Sequence, residues 1–478
     1  MKAVRTRFAP SPTGYLHVGG IRTALFAWLL ARQSGGQFVL RLEDTDKKRE
    51  VAGADKHLME SLRALGLEYD EGPDIGGTYG PYRQSDRMQD GAYEAWARKL
   101  LQDGRAYVDP YTPEEVQAFR EQAQAAKRPF LFRNHRPENP STDWQSGKTL
   151  RFKSDPKPHQ WHDEVMGDLS TGPEVVDDFI LIKSDGYPTY NFAHICDDAD
   201  MAITHIIRGQ EFIASMPNYL NLYEALNLPL PVFATMPHIL GPDGNKKLSK
   251  RDGAKDVLDY TRDGFLPDAL VNFIASLGWN DGTEQEIFSR AELIEKFSLD
   301  HVGRSGAAFD ERRLLWMNGA YIRELPLDDL YTEVTDFWPP EAAPYDEAYK
   351  KQVLGLIQER LKFFKEIPEL TAFFWQDLPV NPELWLEHKQ LKKLGAGELE
   401  SLLATSRTSL EESDFSVENL TERLNNLLEQ TGQKPAVLFS LIRIATTQAP
   451  ASPSLAETLA VLGRETTLRR IDMMLSKI

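Results

Sequence analysis

Hydrophobic and polar positions follow two periods along the first part of the chain. The short apolar runs VRTRFA and FVLRLED have the length and composition of buried strands. A helical period fills about residues 19 to 34, and a second helix is predicted from about 51 to 65, where Gly66 ends it. This strand–helix alternation predicts a parallel sheet with right-handed crossovers. Its ligands are expected beyond the carboxyl ends of the strands.

The pattern changes between about residues 81 and 185. A helical segment (RMQDGAYEAWARKLLQDG) and a polar one (TPEEVQAFREQAQAA) precede a proline-rich passage and two strand-like runs, TLRFK and DDFILIKS. We interpret this interval as an insertion. Alternation resumes with YPTYNFAHICDD, ITHIIRGQE, a helix near 215 to 227, and VFATMPHILGP, as if a split sheet were completed. Beyond Gly253 helical segments follow one another to the end, so the sequence predicts an α/β fold followed by an all-helical carboxyl-terminal half.

Composition narrows the class of protein. A chain of 478 residues with 41% hydrophobic and 27% charged residues has room for roughly three globular domains. Neither a secretory signal nor a membrane span is apparent, so a cytoplasmic protein without a membrane partner is expected. The single cysteine, Cys196, cannot form an internal disulfide or a thiolate zinc site, and no structural metal is predicted.

Charge bears on the kind of partner. The formal net charge of −17 argues against nonspecific binding to nucleic acid, and no DNA partner is expected. A specific RNA partner remains open, because local basic clusters such as Lys246–Lys247–Lys250 create their own field.

The stretch APSPTGYLHVGG, residues 9 to 20, connects the first strand to the first helix. Its prolines stiffen the loop, and Gly19 and Gly20 remove side chains where a helix amino terminus offers N–H groups and a positive dipole end. An anion is the expected ligand, with His17 beside it as a hydrogen-bond donor. Alone, a proline-glycine loop before a helix is more often a simple turn than a phosphate site.

A second glycine-bounded loop, GPDGNKKLSKRDG at residues 241 to 253, places lysines around a serine. Lysine is a compact, mobile charge suited to a triphosphate. The chain contains neither the G-x-x-x-x-G-K-[ST] loop nor a G-x-G-x-x-G near the first strand, which excludes the usual P-loop and dinucleotide motifs.

These two loops resemble the paired nucleotide-binding signatures of class I aminoacyl-tRNA synthetases, LHVGG standing for the first and KLSKR for the second. Together with RFAPSPTGYLHVGGIRTAL, RLEDTD, GPYRQSDR, SDGYPTYNFAHICDD, IIRGQE and LLWMNGAYI, they are similar to the bacterial glutamyl-tRNA synthetases. The resemblance implies two steps, ATP-dependent formation of glutamyl adenylate and transfer to the terminal adenosine of tRNA(Glu). ATP would be a substrate with Mg²⁺, and AYVDPYTPEE lacks the cysteines of the zinc site found in some relatives.

The resemblance also assigns roles residue by residue. Catalytic residues would be His17, Lys247 and Lys250. L-Glutamate would be bound by Arg7, Ala9, Ser11, Glu43, Tyr190, His194 and Arg208. ATP would meet His17, Gly19, Gly20, Glu211, Leu240 and Lys250.

Five regions are implied by the same resemblance. They are the first half of a Rossmann-like catalytic domain (1–82), an inserted tRNA acceptor-binding domain (83–189), the second catalytic half (190–245), a stem-contact domain carrying KLSKR (246–325) and a helical anticodon-binding domain (326–478). Arg360, in QERLKFF, is similar in position to an arginine that reads the third anticodon base, so an enzyme that discriminates against tRNA(Gln) is expected.

Three alternatives remain open on the sequence. The first is a non-discriminating enzyme that charges both tRNAs. The second is a ligase that forms an acyl adenylate from a small acid, although such an enzyme has no evident use for a long helical region with basic faces. The third is a catalytically silent RNA-binding paralogue, against which the intact His17, Glu43, Arg208 and Lys250 argue.

Overall fold

The computed structural model of the chain describes residues 3–248 and 255–478. These residues form two compact units. The first comprises the chain up to Thr261 together with Pro267–Glu311, and the second comprises Arg262–Leu266 with Arg312–Ile478. The five-part division expected above remains a prediction.

Short strands belong to the first unit. In chain order they are β1 Arg5–Phe8, β2 Gln37–Leu40, β3 Ala106–Val108, β4 Leu150–Phe152, β5 His159–Asp163, β6 Gly167–Thr171, β7 Ile180–Ile182, β8 His205–Gly209, β9 Val232–Met236, β10 Ile239–Leu240 and β11 Ala307–Ala308.

Helices are present in both units. In chain order they are α1 Val18–Gln33, α2 Ala54–Ala64, α3 Gln84–Gln89, α4 Ala92–Gln102, α5 Pro113–Ala125, α6 Tyr190–Asp200, α7 Met216–Ala225, α8 Val257–Arg262, α9 Pro267–Ala275, α10 Arg290–Lys296, α11 Glu311–Glu324, α12 Leu327–Glu333, α13 Glu347–Ile357, α14 Ile367–Trp375, α15 Glu383–Leu386, α16 Ala396–Glu411, α17 Val417–Thr431, α18 Pro435–Thr447 and α19 Leu455–Leu475.

A six-stranded sheet organises the first unit, in the order β2-β1-β8-β9-β5-β6. All neighbouring strands are parallel except the last pair, because β5 and β6 form an antiparallel hairpin. The predicted class, a parallel sheet with helices and a helical carboxyl-terminal half, is confirmed. The segment YPTYNFAHICDD contributes helix α6, whose buried face packs with β8 and α7 residues in one core.

The interval predicted as an insertion contributes strands to two different sheets. β3, β4 and β7 form a separate three-stranded antiparallel sheet. Between β4 and β7 in sequence, the β5–β6 hairpin joins the main sheet, where the Asp163 carboxylate accepts hydrogen bonds from the Thr235 hydroxyl (2.5 Å) and the Thr235 N–H (3.0 Å). The single helical segment predicted from RMQDG onward is two helices, α3 and α4, because Gly91 adopts a left-handed conformation with φ of 77° between them.

The second unit is helical throughout its described residues. Its larger core is rich in leucine and isoleucine from α16, α17, α18 and α19, with Leu403, Leu427 and Leu441 fully buried. Amphipathic α17 contributes Leu420, Leu424 and Leu427 at helical spacing, which places three side chains on one face.

Candidate active site

A cleft of about 580 Å³ opens at the carboxyl ends of β1, β8 and β9, beside the first turn of α1. Ligands of parallel sheets bind at this edge. The predicted site residues in its wall are Arg7, Ala9, Ser11, His17, Gly19, Gly20, Glu43, Tyr190, Arg208, Glu211 and Lys247. Two further predicted residues adjoin the wall: His194 lies beside Tyr190, with ring centroids 4.9 Å apart, and Leu240 follows the lining residue Ile239.

His17 caps helix α1. Its Nδ1 accepts a hydrogen bond from the Gly19 N–H at 3.1 Å. A neutral ring that accepts at Nδ1 carries its proton on Nε2, which makes that nitrogen a donor. The Gly20 N–H is also engaged, with the His17 carbonyl at 2.9 Å.

The two glycines act through the space they leave. A Cβ at Gly19 would lie 3.1 Å from His17 Cε1, and one at Gly20 would lie 2.6 Å from Leu16 Cδ1. Glycine at both positions therefore lets the capping loop fold closely onto the helix.

The second predicted signature lies partly in the cleft. Lys247 lines it and forms an isolated antiparallel bridge with Leu240 of β10. β10 is held by parallel pairing with β11, and the Leu240 carbonyl accepts the Phe309 N–H at 2.9 Å. Lys250 lies outside the described residues.

Glu211 and His238 are close together in the wall, with His238 Nδ1 3.9 Å from Glu211 Oε2. Partial burial, followed by the charge of Lys247, lowers the pKa of His238. The imidazole is therefore neutral at pH 7, and Glu211 stays available to accept hydrogen bonds from a ligand.

Two predicted carboxylate-binding arginines differ in their surroundings. Arg7 is paired with Asp198, with Nε 3.2 Å from Oδ1, and also donates to the Ile207 carbonyl at 3.3 Å. Arg208 forms no ion pair with any described carboxylate, and its buried Nη1 has no hydrogen-bond partner there. Arg208 is therefore the guanidinium with capacity for an incoming anion.

Aromatic rings surround Arg208. Its guanidinium carbon is 5.5 Å from the Phe212 centroid, 5.1 Å from Tyr219 and 5.6 Å from Phe233. Burial lowers the pKa of Arg208, but these π faces stabilise the charge. The guanidinium lies among these rings while its Nη1 has no hydrogen-bond partner among the described residues.

Glu43 supplies the opposite charge. Its Oε1 accepts from Arg41 Nη2 at 2.9 Å, whereas its buried Oε2 has no described partner. Burial raises the pKa of Glu43 to about 7, and Arg41 and Arg7 oppose that shift. Burial, followed by the charge of Glu43, raises the pKa of the Tyr190 hydroxyl, and the charge of Arg208 opposes that shift.

His194 is enclosed behind Tyr190. It is 1% exposed, and burial lowers its pKa to about 4, so the ring is neutral at pH 7. Its Nδ1 is 3.9 Å from Asp198 Oδ2, and neither ring nitrogen has a hydrogen-bond partner among the described residues.

A layer of buried charge beneath the cleft escaped the sequence analysis. Arg41 is fully buried between Glu43 and Asp198 (Nη1 to Oδ1, 2.7 Å), with Asp197 3.5 Å from its Nε. Arg87 adds a second contact to Asp197 at 2.6 Å. The motifs RLEDTD and HICDD contain most of these residues, but only three-dimensional proximity reveals their pairing.

Arg22, in the second turn of α1, also lines the cleft and was not predicted. Its Nη1 donates to the Leu277 carbonyl at 2.9 Å, and its Nη2 donates to the Pro237 carbonyl. Main-chain acceptors depend on the fold alone, so no residue pattern could have indicated them.

Arg360 belongs to the second unit. It ends the short turn Gln358–Arg360 that follows α13, and it is exposed. Burial and the nearby charge of Arg360 lower the pKa of Arg443, so two cations lie close together there. Arg360 is exposed and Arg443 is partly buried, and positive charge of this kind at the surface favours an anionic partner.

Two other features are absent from the part of the chain that the structure describes. Among residues 3–248 and 255–478, no group of three or more His, Cys, Asp or Glu side chains is arranged to hold a metal ion. No helix in that part of the chain is long and apolar enough to cross a membrane.

Two family models match this chain. The model described as tRNA synthetases class I (E and Q), catalytic domain, matches residues 3–316. The model described as anticodon binding domain matches residues 329–475.

Relatives match over nearly the full length. The glutamate--tRNA ligase of Roseiflexus castenholzii is 41% identical over 498 aligned positions, covering 99% of this chain and 96% of the relative. That of Clostridium botulinum strain Hall is 39% identical over 497 positions, covering 99% and 98%. A crystal structure of a glutamate tRNA ligase from Elizabethkingia meningosepticum, in complex with its amino acid, matches with a TM-score of 0.87 at 31% identity over 99% of both chains.

Proposed function

We propose a function from the premise that this chain belongs to the class I tRNA synthetases of the E and Q type, whose catalytic-domain model it matches over residues 3–316. It is an ATP-dependent ligase that attaches L-glutamate to tRNA(Glu), working in the cytoplasm. Relatives of 39% and 41% identity that carry the name glutamate--tRNA ligase support this reaction.

One structural observation carries the proposal. The cleft places a buried guanidinium with an unused donor, Arg208 Nη1, and a buried carboxylate with an unused acceptor, Glu43 Oε2, around Tyr190. An amino acid with a side-chain carboxylate and an α-ammonium group complements this pair. Arg208 binds the side-chain carboxylate and Glu43 the ammonium group, while Arg7, already paired with Asp198, adds positive potential to the pocket.

The reaction takes place in two steps. The α-carboxylate of glutamate attacks the α-phosphorus of ATP, which forms glutamyl adenylate and releases pyrophosphate. A hydroxyl of the terminal ribose of tRNA then attacks the acyl carbon, and AMP leaves. Positioning and charge neutralisation lower such barriers, so the protein contributes mainly donors and cations.

The nucleotide lies against the two signatures. His17 donates from Nε2 to phosphate oxygens, and Lys247 and Lys250 neutralise the triphosphate. Glu211 and the main chain at Leu240 meet the nucleoside. Ala9 and Ser11, in the loop after β1, line the same cleft and contact the glutamate. Mg²⁺ accompanies ATP on phosphate oxygens, which are hard ligands that this ion prefers.

The helical second unit holds the anticodon stem and loop, as the match of residues 329–475 to an anticodon binding domain supports. Arg360 reads the third anticodon base. A guanidinium can donate to O2 and N3 of the cytosine in tRNA(Glu), whereas the Watson–Crick edge of the guanine in tRNA(Gln) presents donors. The enzyme accordingly charges tRNA(Glu) in preference to tRNA(Gln).

The test is charging of purified tRNA(Glu) and tRNA(Gln) with labelled glutamate, glutamine or a small dicarboxylic acid. Glutamate transferred to tRNA(Glu) alone is the expected result. Equal charging of both tRNAs would refute discrimination and leave the ligase activity standing. Activation of an acid with no transfer to RNA would instead identify a small-molecule ligase.

A further inference from the structure

Arg22 is a buried cation in the cleft wall without a carboxylate partner among the described residues. Arg22 is only 4% exposed. Its two Nη atoms donate hydrogen bonds to the carbonyls of Leu277 and Pro237, whereas its Nε has no acceptor among the described residues. Carbonyl oxygens satisfy N–H groups but do not cancel a full charge. Burial lowers the pKa of Arg22 only to about 10, with Glu211 opposing that shift, so the side chain is charged at pH 7.

Other buried arginines of this unit are neutralised. Arg5 pairs with Glu71 at 3.0 Å, Arg7 with Asp198 at 3.2 Å and Arg87 with Asp197 at 2.6 Å. Arg208 and Arg22 are the exceptions in the described part of the cleft wall. An uncompensated buried charge is costly unless a ligand of opposite sign completes it.

The position of Arg22 relates it to the nucleotide rather than to glutamate. It belongs to the helix capped by His17, and its carbonyl partners are Pro237, which leads into β10, and Leu277, at the turn through Gly278. Gly278 has φ of 110°, a conformation that suits glycine and fixes this carbonyl. Glu211, whose charge opposes the lowering of the pKa of Arg22, and Lys247 line the same cleft wall.

We propose that Arg22 is a positioning residue for ATP, which stabilises the anionic phosphate chain by its charge and holds the segment leading to the second signature against helix α1. This inference rests on the proposed function, because it requires ATP in this cleft. The guanidinium acts from within the buried wall, where the effective dielectric is lower than in water and weakens its field less.

The experiment compares the affinities of the full-length protein for ATP and for adenosine, measured by isothermal titration calorimetry. We expect Arg22→Met to weaken ATP binding roughly tenfold and adenosine binding by less than about twofold, because only ATP carries the charge that the arginine complements. Arg22→Lys, which keeps the charge, should retain most of the preference for ATP.

Controls separate this role from a structural one. Arg32→Met changes an arginine of the same helix whose guanidinium pairs with Asp70, and it should leave both affinities unchanged. Arg22→Gln keeps one donor and loses the charge, so it serves as the neutral variant if Arg22→Met does not fold. The affinities for ATP and for adenosine are compared as a ratio within each variant. A smaller fraction of folded protein affects both measurements alike and does not change that ratio.

Two results would overturn the inference and can be told apart. Equal weakening of ATP and adenosine in the neutral variants, or an Arg22→Lys variant as impaired as Arg22→Met, would make Arg22 a purely structural residue while the proposed function stands. A wild-type protein that binds no ATP would overturn the proposed function and the inference together.

Discussion

The region beneath the cleft and the core of the second unit bury side chains of opposite kinds. Under the cleft, Arg41, Asp197 and Asp198 are at most 3% exposed, and each is surrounded by opposite charge. In the helical unit the same depth is occupied by leucines such as Leu427 and Leu441.

This difference separates two uses of burial. Apolar packing stabilises a fold at no desolvation cost, whereas a buried ion network recovers its desolvation cost only when every member is paired. The charged layer therefore contributes little net stability. Its value lies in fixing Arg7 and Glu43 at the floor of the site.

Removing the centre of the charged layer should have the largest effect. Arg41→Met leaves Glu43, Asp197 and Asp198 without their shared cation, and we expect a loss of about 3–5 kcal/mol in urea unfolding followed by circular dichroism. Leu441→Ala, in the leucine core, should cost about 2–5 kcal/mol through a cavity.

Salt tests how completely the charged layer is buried. Raising the ionic strength should leave the deficit of Arg41→Met nearly unchanged, because fully buried charges are screened far less than exposed ones, and it should not alter that of Leu441→Ala. A deficit of Arg41→Met that falls steeply with added salt would mean that water and ions reach the charged layer.

The two site arginines should differ in what their loss affects. Arg208→Ala should raise the KM for glutamate roughly tenfold or more, with the KM for ATP nearly unchanged, because one charge-assisted contact to substrate is lost. Arg7→Ala should in addition lower the unfolding midpoint, since it leaves Asp198 with one cation fewer. Glutamate kinetics unaffected by Arg208→Ala would remove that residue from the pocket.

The pKa of Glu43, raised to about 7, gives the charged layer a dependence on pH. Below about pH 7 the carboxylate binds a proton and loses its attraction for the ammonium group, so the KM for glutamate should rise by up to about tenfold per pH unit. Stability follows the opposite course. Between pH 4.5, the ordinary pKa of the group, and pH 7, Glu43 binds a proton in the folded protein that it does not bind in the unfolded chain. The contribution of this proton to the free energy of unfolding is therefore complete below pH 4.5 and is lost as the pH rises through 7.

Glu43→Gln tests the predicted pH dependence of the KM for glutamate and that of stability. The variant should bind glutamate weakly at every pH and should lose the slope of both KM and stability between pH 5 and 8. A KM profile that keeps its slope in the variant would assign the titration to another group.

The smallest effect is expected on the surface of the helical unit. Arg360→Gln should reduce the preference for tRNA(Glu) over tRNA(Gln) by about fivefold, the lower end of the range for a paired base contact. The effect should be this small because Arg443 keeps a positive charge nearby in the variant. Ratios of kcat/KM for the two tRNAs measure it. Arg407→Gln, at an arginine paired with Asp472 in the same unit, is the matched control and should leave the ratio unchanged.

Much of the first unit could be predicted because local signals coincide there. The apolar runs place β1 and β2, and the loop between β1 and α1 carries its own chemistry in prolines, glycines and a histidine. Residues close in sequence to strand ends, such as Arg7, His17 and Glu43, line the cleft, and the roles assigned to them stay predictions.

Long-range pairing set the limit of prediction. Asp198 contacts Arg7 across 191 positions, and no local pattern distinguishes a carboxylate that neutralises an arginine from one that binds substrate. The contrast between Arg7 and Arg208 therefore emerged only from the folded chain. Gly91 shows a smaller limit, because glycine within a helical pattern permits a break without requiring one.

The β5–β6 hairpin determines how this protein can be recombined with its relatives. In sequence it separates β4 from β7, two strands of the small antiparallel sheet, yet its own partner is β9 of the large one. A chimera that exchanges the interval 83–189 as one block would therefore also replace an edge of the recipient's main sheet, together with the Asp163 contact to Thr235. No contiguous exchange moves the small sheet alone. The β5–β6 hairpin and its neighbour β9 should therefore be exchanged together or left in place together.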